Sequence, residues 1–140
     1  IWLGSPYREH RRFTLAKSFW SACRRPAARV VNNSRSLIFP HVRVPHLASH
    51  VLGQLARRAR ADWLDHWGFE PLLLETFVDP RLHAGTCYRA AGWQLLGETS
   101  GRGLARPGQS YHSTSRQLWV KPLCADSRDQ LCAIPGNSRP

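Results

Sequence analysis

The sequence predicts an α/β (α+β) fold, a mixed sheet with one long helix and one short helix packed on it. Three observations carry this. Residues 71–97, PLLLETFVDPRLHAGTCYRAAGWQLLG, read as strand, short helix, strand. Residues 46–67 repeat apolar side chains at steps of three and four, the period of a helix with one buried face. Residues 117–123, QLWVKPL, alternate apolar and polar positions as a further strand does.

Taken in order, residues 1–29 show no clear period. Trp2, Phe13, Phe19 and Trp20 are mixed irregularly with Arg and Lys, with a weak helical pattern over 13–23. Two readings stand: a basic, aromatic arm that meets phosphates and stacks on bases, or a remnant of an upstream region. Residues 30–132 are the organised part, and 133–140 read as a loose tail. Val30-Val31-Asn32-Asn33-Ser34 opens it, and residues 37–44, LIFPHVRV, read as one strand interrupted at Pro40, where an edge position tolerates the missing N–H. The helix from His46 follows. It puts Leu47, Val51, Leu52, Leu55, Ala59, Trp63 and Trp67 on one side and Arg57, Arg58, Arg60 and Asp62 on the other.

The run from Pro71 closes on Asp79-Pro80, a length that suits a buried strand and is too short for a helix of several turns. Leu82, Tyr88 and Ala91 then recur near helical spacing, and Gly92 stands where a helix end takes a left-handed residue. Residues 93–96 read as the next strand. Residues 98–115, rich in Gly and Ser, predict a long surface loop with Arg102, Arg106 and His112 as its charged or titratable points. Residues 126–132 add one helical turn.

A length of 140 residues bounds the chain to one domain, and the absence of Met with a start at Ile1 predicts a fragment or the end of a longer protein. Twenty Lys and Arg against nine Asp and Glu give a formal charge of +11, which favours polyanions and nucleic acid first. Cys23, Cys87, Cys124 and Cys132 form no C-x-x-C pair, and no signal peptide is visible, so reduced thiols in a cytoplasm are expected. Nothing approaches the roughly 20 apolar residues of a membrane span. His46 and His50 share a helix face, but a third ligand is missing, so no metal is expected. Gly101-Arg102-Gly103 lacks the Gly-Lys-Ser/Thr of a phosphate loop. Glu75 interrupts an apolar run. Its burial would need a partner such as Arg89, His83 or His112.

Strand, short helix, Gly, aromatic and strand resemble the last part of an acyl-CoA-dependent N-acetyltransferase (GNAT) domain. Arg81-x-x-Ala84-x-x-x-Tyr88-x-x-x-Gly92-Trp93 is similar to that family's Asn-x-x-Ala-x-x-x-Tyr-x-x-x-Gly-Phe. The resemblance implies Tyr88 as the general acid for a departing CoA thiolate, and Glu75, singled out by its place in the apolar run, is the second candidate if the chain is an acyltransferase. It places the CoA pyrophosphate on residues 43–48, with Arg43, His46, Leu47 and Ala48 as the binding positions. His46 replaces the first Gly of that loop, and Pro45 removes one N–H donor.

A wider resemblance covers residues 30–132. VVNNSRSLIFPHVRVPHLASHVL, WGFEPLLLETFVDP, GTCYRAAGWQLLGETSGRG and YHSTSRQLWVKPL follow one another as in the DruA family, once described as a domain of unknown function and named from the Druantia anti-phage system. It implies a bacterial, cytoplasmic protein of defence or mobile elements. The expected function is a nucleic-acid- or partner-binding domain on a GNAT-like scaffold, with Arg57, Arg58, Arg60, Arg102 and Arg106 on nucleic acid, other defence-system proteins as partners and no cofactor. Two alternatives stand beside it. One is an acyl-CoA-dependent N-acyltransferase using acetyl-CoA; the other is a transposase-associated accessory domain, for which the acids show no Asp-Asp-Glu set.

Overall fold

The computed structural model describes residues 2–3, 29–99 and 114–132. Among these, five strands form one sheet in the order β1-β2-β3-β5-β4: β1 is Trp2–Leu3, β2 Val30–Arg35, β3 Leu73–Val78, β4 Gln94–Glu98 and β5 Gln117–Pro122. Three helices accompany them, α1 Leu47–Trp67, α2 Thr86–Ala90 and α3 Ser127–Cys132. The fold is therefore mixed α+β with one long helix. β2 and β3 are parallel and joined across α1, as a parallel pair requires, while β5 runs antiparallel between β3 and β4.

β3 sits inside the sheet because its sequence suits burial on both sides. Leu74, Thr76 and Val78 face one way and Leu73, Glu75 and Phe77 the other. On the first face Val31, Leu74, Val78 and Trp119 pack under Leu52, Ala59 and Trp63 of α1 and Tyr88 of α2. On the second, Leu73, Leu118 and Val120 meet Leu131 of α3. The periodic stripe of α1 thus finds the sheet as the sequence requires, although two of its members, Val51 and Trp67, stay exposed. α1 ends at Gly68, whose φ of 74° suits glycine and whose N–H donates to the Leu64 carbonyl.

One expectation is corrected. Residues 37–44 are not a strand; the chain there is irregular, and the Val42 N–H donates to the Phe39 carbonyl across a turn at Pro40 and His41. Pro40 and Pro45 supply no ladder donors. The strand lies earlier, where Val30, Val31 and Asn32 register with Leu73, Leu74 and Glu75. The short helix is also shorter than its pattern: Asp79 holds residues 79–82 in a turn by accepting from the Arg81 N–H at 3.0 Å, and Leu82 remains exposed. The β4–β5 ladder extends to Thr99 and Arg116, whose backbones bond at 2.8 Å, so the expected 98–115 loop is narrower at its base.

Gly85 fixes how α2 meets the sheet. Its φ is 69°, and a β-carbon built on it would stand 2.7 Å from Cζ2 of the buried Trp119 ring. Gly85→Ala should therefore cost more than the about 1–2 kcal/mol of a left-handed non-glycine residue alone, because the ring must shift as well. Denaturant unfolding of the two proteins measures it; equal midpoints would show that this approach is not close.

Candidate functional site

Two polar sites and one groove surround the junction of β2, β3 and α1. Adjacent asparagines of β2 build the polar sites, because successive strand residues point to opposite faces. Asn32 donates its side-chain amide to Glu75 Oε1 at 3.1 Å on the α3 side. Asn33 donates to the Tyr88 hydroxyl at 3.2 Å on the α1 side, while Thr76 Oγ1 donates to the Asn33 carbonyl at 2.9 Å.

Tyr88 is buried, edge-on to Trp93 at 5.1 Å between ring centroids and stacked at 6.4 Å on Trp119. Burial raises its pKa. The hydroxyl is thus enclosed by the sheet and satisfied by Asn33, the arrangement of a core tyrosine. Glu75 has its partner in Asn32, in place of the expected Arg89, His83 or His112. Arg89 instead lies over the Trp119 ring at 5.8 Å, and His112 is outside the described residues. Burial raises the pKa of Glu75, and the Asn32 hydrogen bond opposes this. The Asn32–Glu75 and Asn33–Tyr88 pairs lie on opposite faces of the sheet and do not share one site. The sequence offered a signal for both, two amides side by side in the middle of β2, directly after Val30 and Val31.

The groove lies where the irregular segment after β2 meets the start of α1. It encloses about 220 Å³ and is lined by Leu37, Ile38, Phe39, Val42, Leu47 and Val51, with Ser36 and Ala48 completing it. Leu37 is 71% exposed and Phe39 58%, unusual for side chains of this kind. The Phe39 and His41 rings stack at 5.6 Å. Of the residues assigned to a CoA pyrophosphate, Leu47 and Ala48 thus line an apolar groove, whereas Arg43 and His46 are exposed beside it. His46 caps α1 with a φ of 58° and makes no side-chain capping bond.

The basic residues of α1 are only partly available. Arg57 is exposed, Arg58 pairs with Asp62 at 3.3 Å, and Arg60 forms a short ion pair with Glu70 at the foot of β3. The hydrogen bond that Arg60 donates to the Glu70 carboxylate raises the pKa of Arg60. Arg102 and Arg106 lie outside the described residues. A larger feature is the division of charge along the chain. No Asp or Glu occurs between Glu9 and Asp62, so residues 1–61 hold twelve Lys and Arg against one acid, and residues 62–140 hold eight against eight. The whole formal charge belongs to the first part.

Among the described residues no three of His, Cys, Asp and Glu gather as a metal ion would need, and no helix is long and apolar enough to cross a membrane. Cys87 and Cys124 are free thiols, each with its pKa raised chiefly by burial.

The raised pKa of Glu75 has a sign that can be measured. The folded chain holds this proton more tightly than the unfolded chain, so its contribution to stability is full below the ordinary Glu value of 4.5 and is lost as pH rises above it. Glu75→Gln keeps an acceptor for Asn32 and should raise the thermal midpoint at pH 7 while changing it little at pH 4. A midpoint lowered at pH 7 more than at pH 4 would mean that the carboxylate is needed in its charged form.

Compared with known families, residues 19–106 match the family model described as Druantia protein DruA, more than half of the chain. The match starts upstream of Val30 and stops short of Cys132. No curated protein and no solved structure matches the chain.

Proposed function

Because the chain belongs to the DruA family, we propose that it is a component of Druantia anti-phage defence that holds nucleic acid against its basic first part. The division of charge carries this reading. Residues 1–61 have a twelve-to-one excess of cations, and within them α1 displays Arg57 and Arg58 on the face turned away from the sheet, with Arg35 and Arg43 exposed between β2 and α1. Phosphate contacts of this kind gain free energy by releasing counterions and need no enclosed pocket. The Arg58–Asp62 pair is a minor obstacle, since an exposed ion pair of this sort contributes about 0–1 kcal/mol. Arg60 serves the fold instead, tying α1 to Glu70 just before β3.

The order strand, long helix, strand, short helix, strand supports a GNAT-like scaffold, and the spacing of Ala84, Tyr88, Gly92 and Trp93 belongs to the same reading. It supports acyl transfer less well. A general acid needs hydrogen-bond reach to the leaving group, and the Tyr88 side chain is buried, its hydroxyl accepting from Asn33. The scaffold reading and the nucleic-acid reading are compatible, because fold does not set function.

The test is binding of labelled duplex and single-stranded DNA by the whole chain at two salt concentrations, with thermal unfolding in acetyl-CoA as the counter-measurement. Affinity should fall steeply with salt, and Arg57→Glu with Arg58→Glu should weaken binding by about tenfold or more at low salt. A midpoint raised by acetyl-CoA and unmoved by DNA would replace this reading with the acyltransferase.

A further inference from the structure

The groove between residues 36–42 and the first turns of α1 is lined almost wholly by apolar side chains, which offer a phosphate no charge. Its walls are Leu37, Ile38, Phe39, Val42, Leu47 and Val51, mostly aliphatic, and several of these side chains stand open to water. Such a patch is costly to leave bare unless something covers it. Its chemistry narrows what that is. A nucleobase needs a flat aromatic platform with polar groups to meet its edge, and here the single aromatic side chain, Phe39, already stacks on His41. Aliphatic walls enclosing about 220 Å³ suit one or two large apolar side chains.

The rim supplies the second half of the argument. Four residues of the lining have a basic or titratable sequence neighbour: Arg35 precedes Ser36, His41 and Arg43 flank Val42, His46 precedes Leu47 and His50 precedes Val51, and all five of these neighbours are exposed. With no acid anywhere from residue 10 to residue 61, no sequence neighbour offsets the charges of Arg35 and Arg43. A basic or neutral partner would gain nothing from this rim, and a second copy of the same basic surface would be repelled by it. We propose that the groove docks an acidic protein segment that inserts an apolar side chain between 36–42 and α1 and sets carboxylates against Arg35 and Arg43. The apolar walls are used by this docking alone, whereas Arg35 and Arg43 on the rim are shared with the nucleic-acid reading, which rests also on Arg57 and Arg58.

The experiment titrates the whole chain against a short fluorescent peptide carrying one leucine and one phenylalanine among glutamates. Controls are the same peptide with serines for its two apolar residues and a labelled oligothymidine. Leu37→Ser with Phe39→Ser, both exposed and so tolerated by the fold, should weaken peptide binding by about tenfold or more, and the serine peptide should lose a similar factor. Arg57→Glu with Arg58→Glu should change peptide binding by less than the groove variant does. The proposal is overturned if the peptide fails to bind or if the serine peptide binds equally well. It also falls if the groove variant weakens the oligothymidine and spares the peptide, or if sedimentation shows a dimer that the groove variant dissociates. Because DNA binding is read separately through Arg57 and Arg58, failure here leaves that reading standing.

Discussion

The structure depends on β3, a strand paired along both edges and buried on both faces. Its partners are fixed residue by residue, Leu73 to Leu74 against Val30 and Val31 on one side and Leu73 to Val78 against Pro122 to Gln117 on the other. A slip of one residue would turn Leu74 and Val78 out of the α1 core and bring Glu75 into it, so the two cores lock the register together. From this strand the remaining positions follow. α1 is placed because it must cross over from β2, and α2 because Gly85 lets the chain lie against Trp119.

Much of that framework was legible. Pro71 and Asp79-Pro80 delimit β3, and the three-and-four spacing of α1 names Leu52, Ala59 and Trp63, which the structure buries. Gly92 adopts the left-handed conformation its place requires, with φ of 72°. β2 was not legible as a strand for a physical reason. Its buried positions include Asn33, and Asn32 sits beside a carboxylate, so polar side chains interrupt the apolar signal of a strand whose amides serve Glu75 and Tyr88. Residues 37–44 carried a strand-like pattern because their apolar side chains line a surface groove in place of a ladder. Sequence alone gives apolarity, and it does not tell a core from an open docking face. The basic site was legible in amount and not in availability, since neither the Arg60–Glu70 pair nor the Arg58–Asp62 pair can be placed before the fold is known.

The candidate functional surface and the framework are divided along the chain. Residues 62–140 are balanced in formal charge and supply three of the five strands, whereas residues 1–61 carry the excess of Arg, the groove and the outward face of α1. Tyr88 and Glu75, the side chains that looked most like catalytic groups, each accept a hydrogen bond from one of the two asparagines of β2. A polar group in a core needs a partner, and these pairs supply one on each face of the same strand.

The most direct measurement is amide hydrogen exchange of the whole chain with and without single-stranded DNA at low salt. The account predicts slower exchange along the segment from β2 to α1, within residues 35–61, and little change in α2 or β4. Slowing centred on Thr86–Ala90 and Gln94–Glu98, with α1 unchanged, would contradict it.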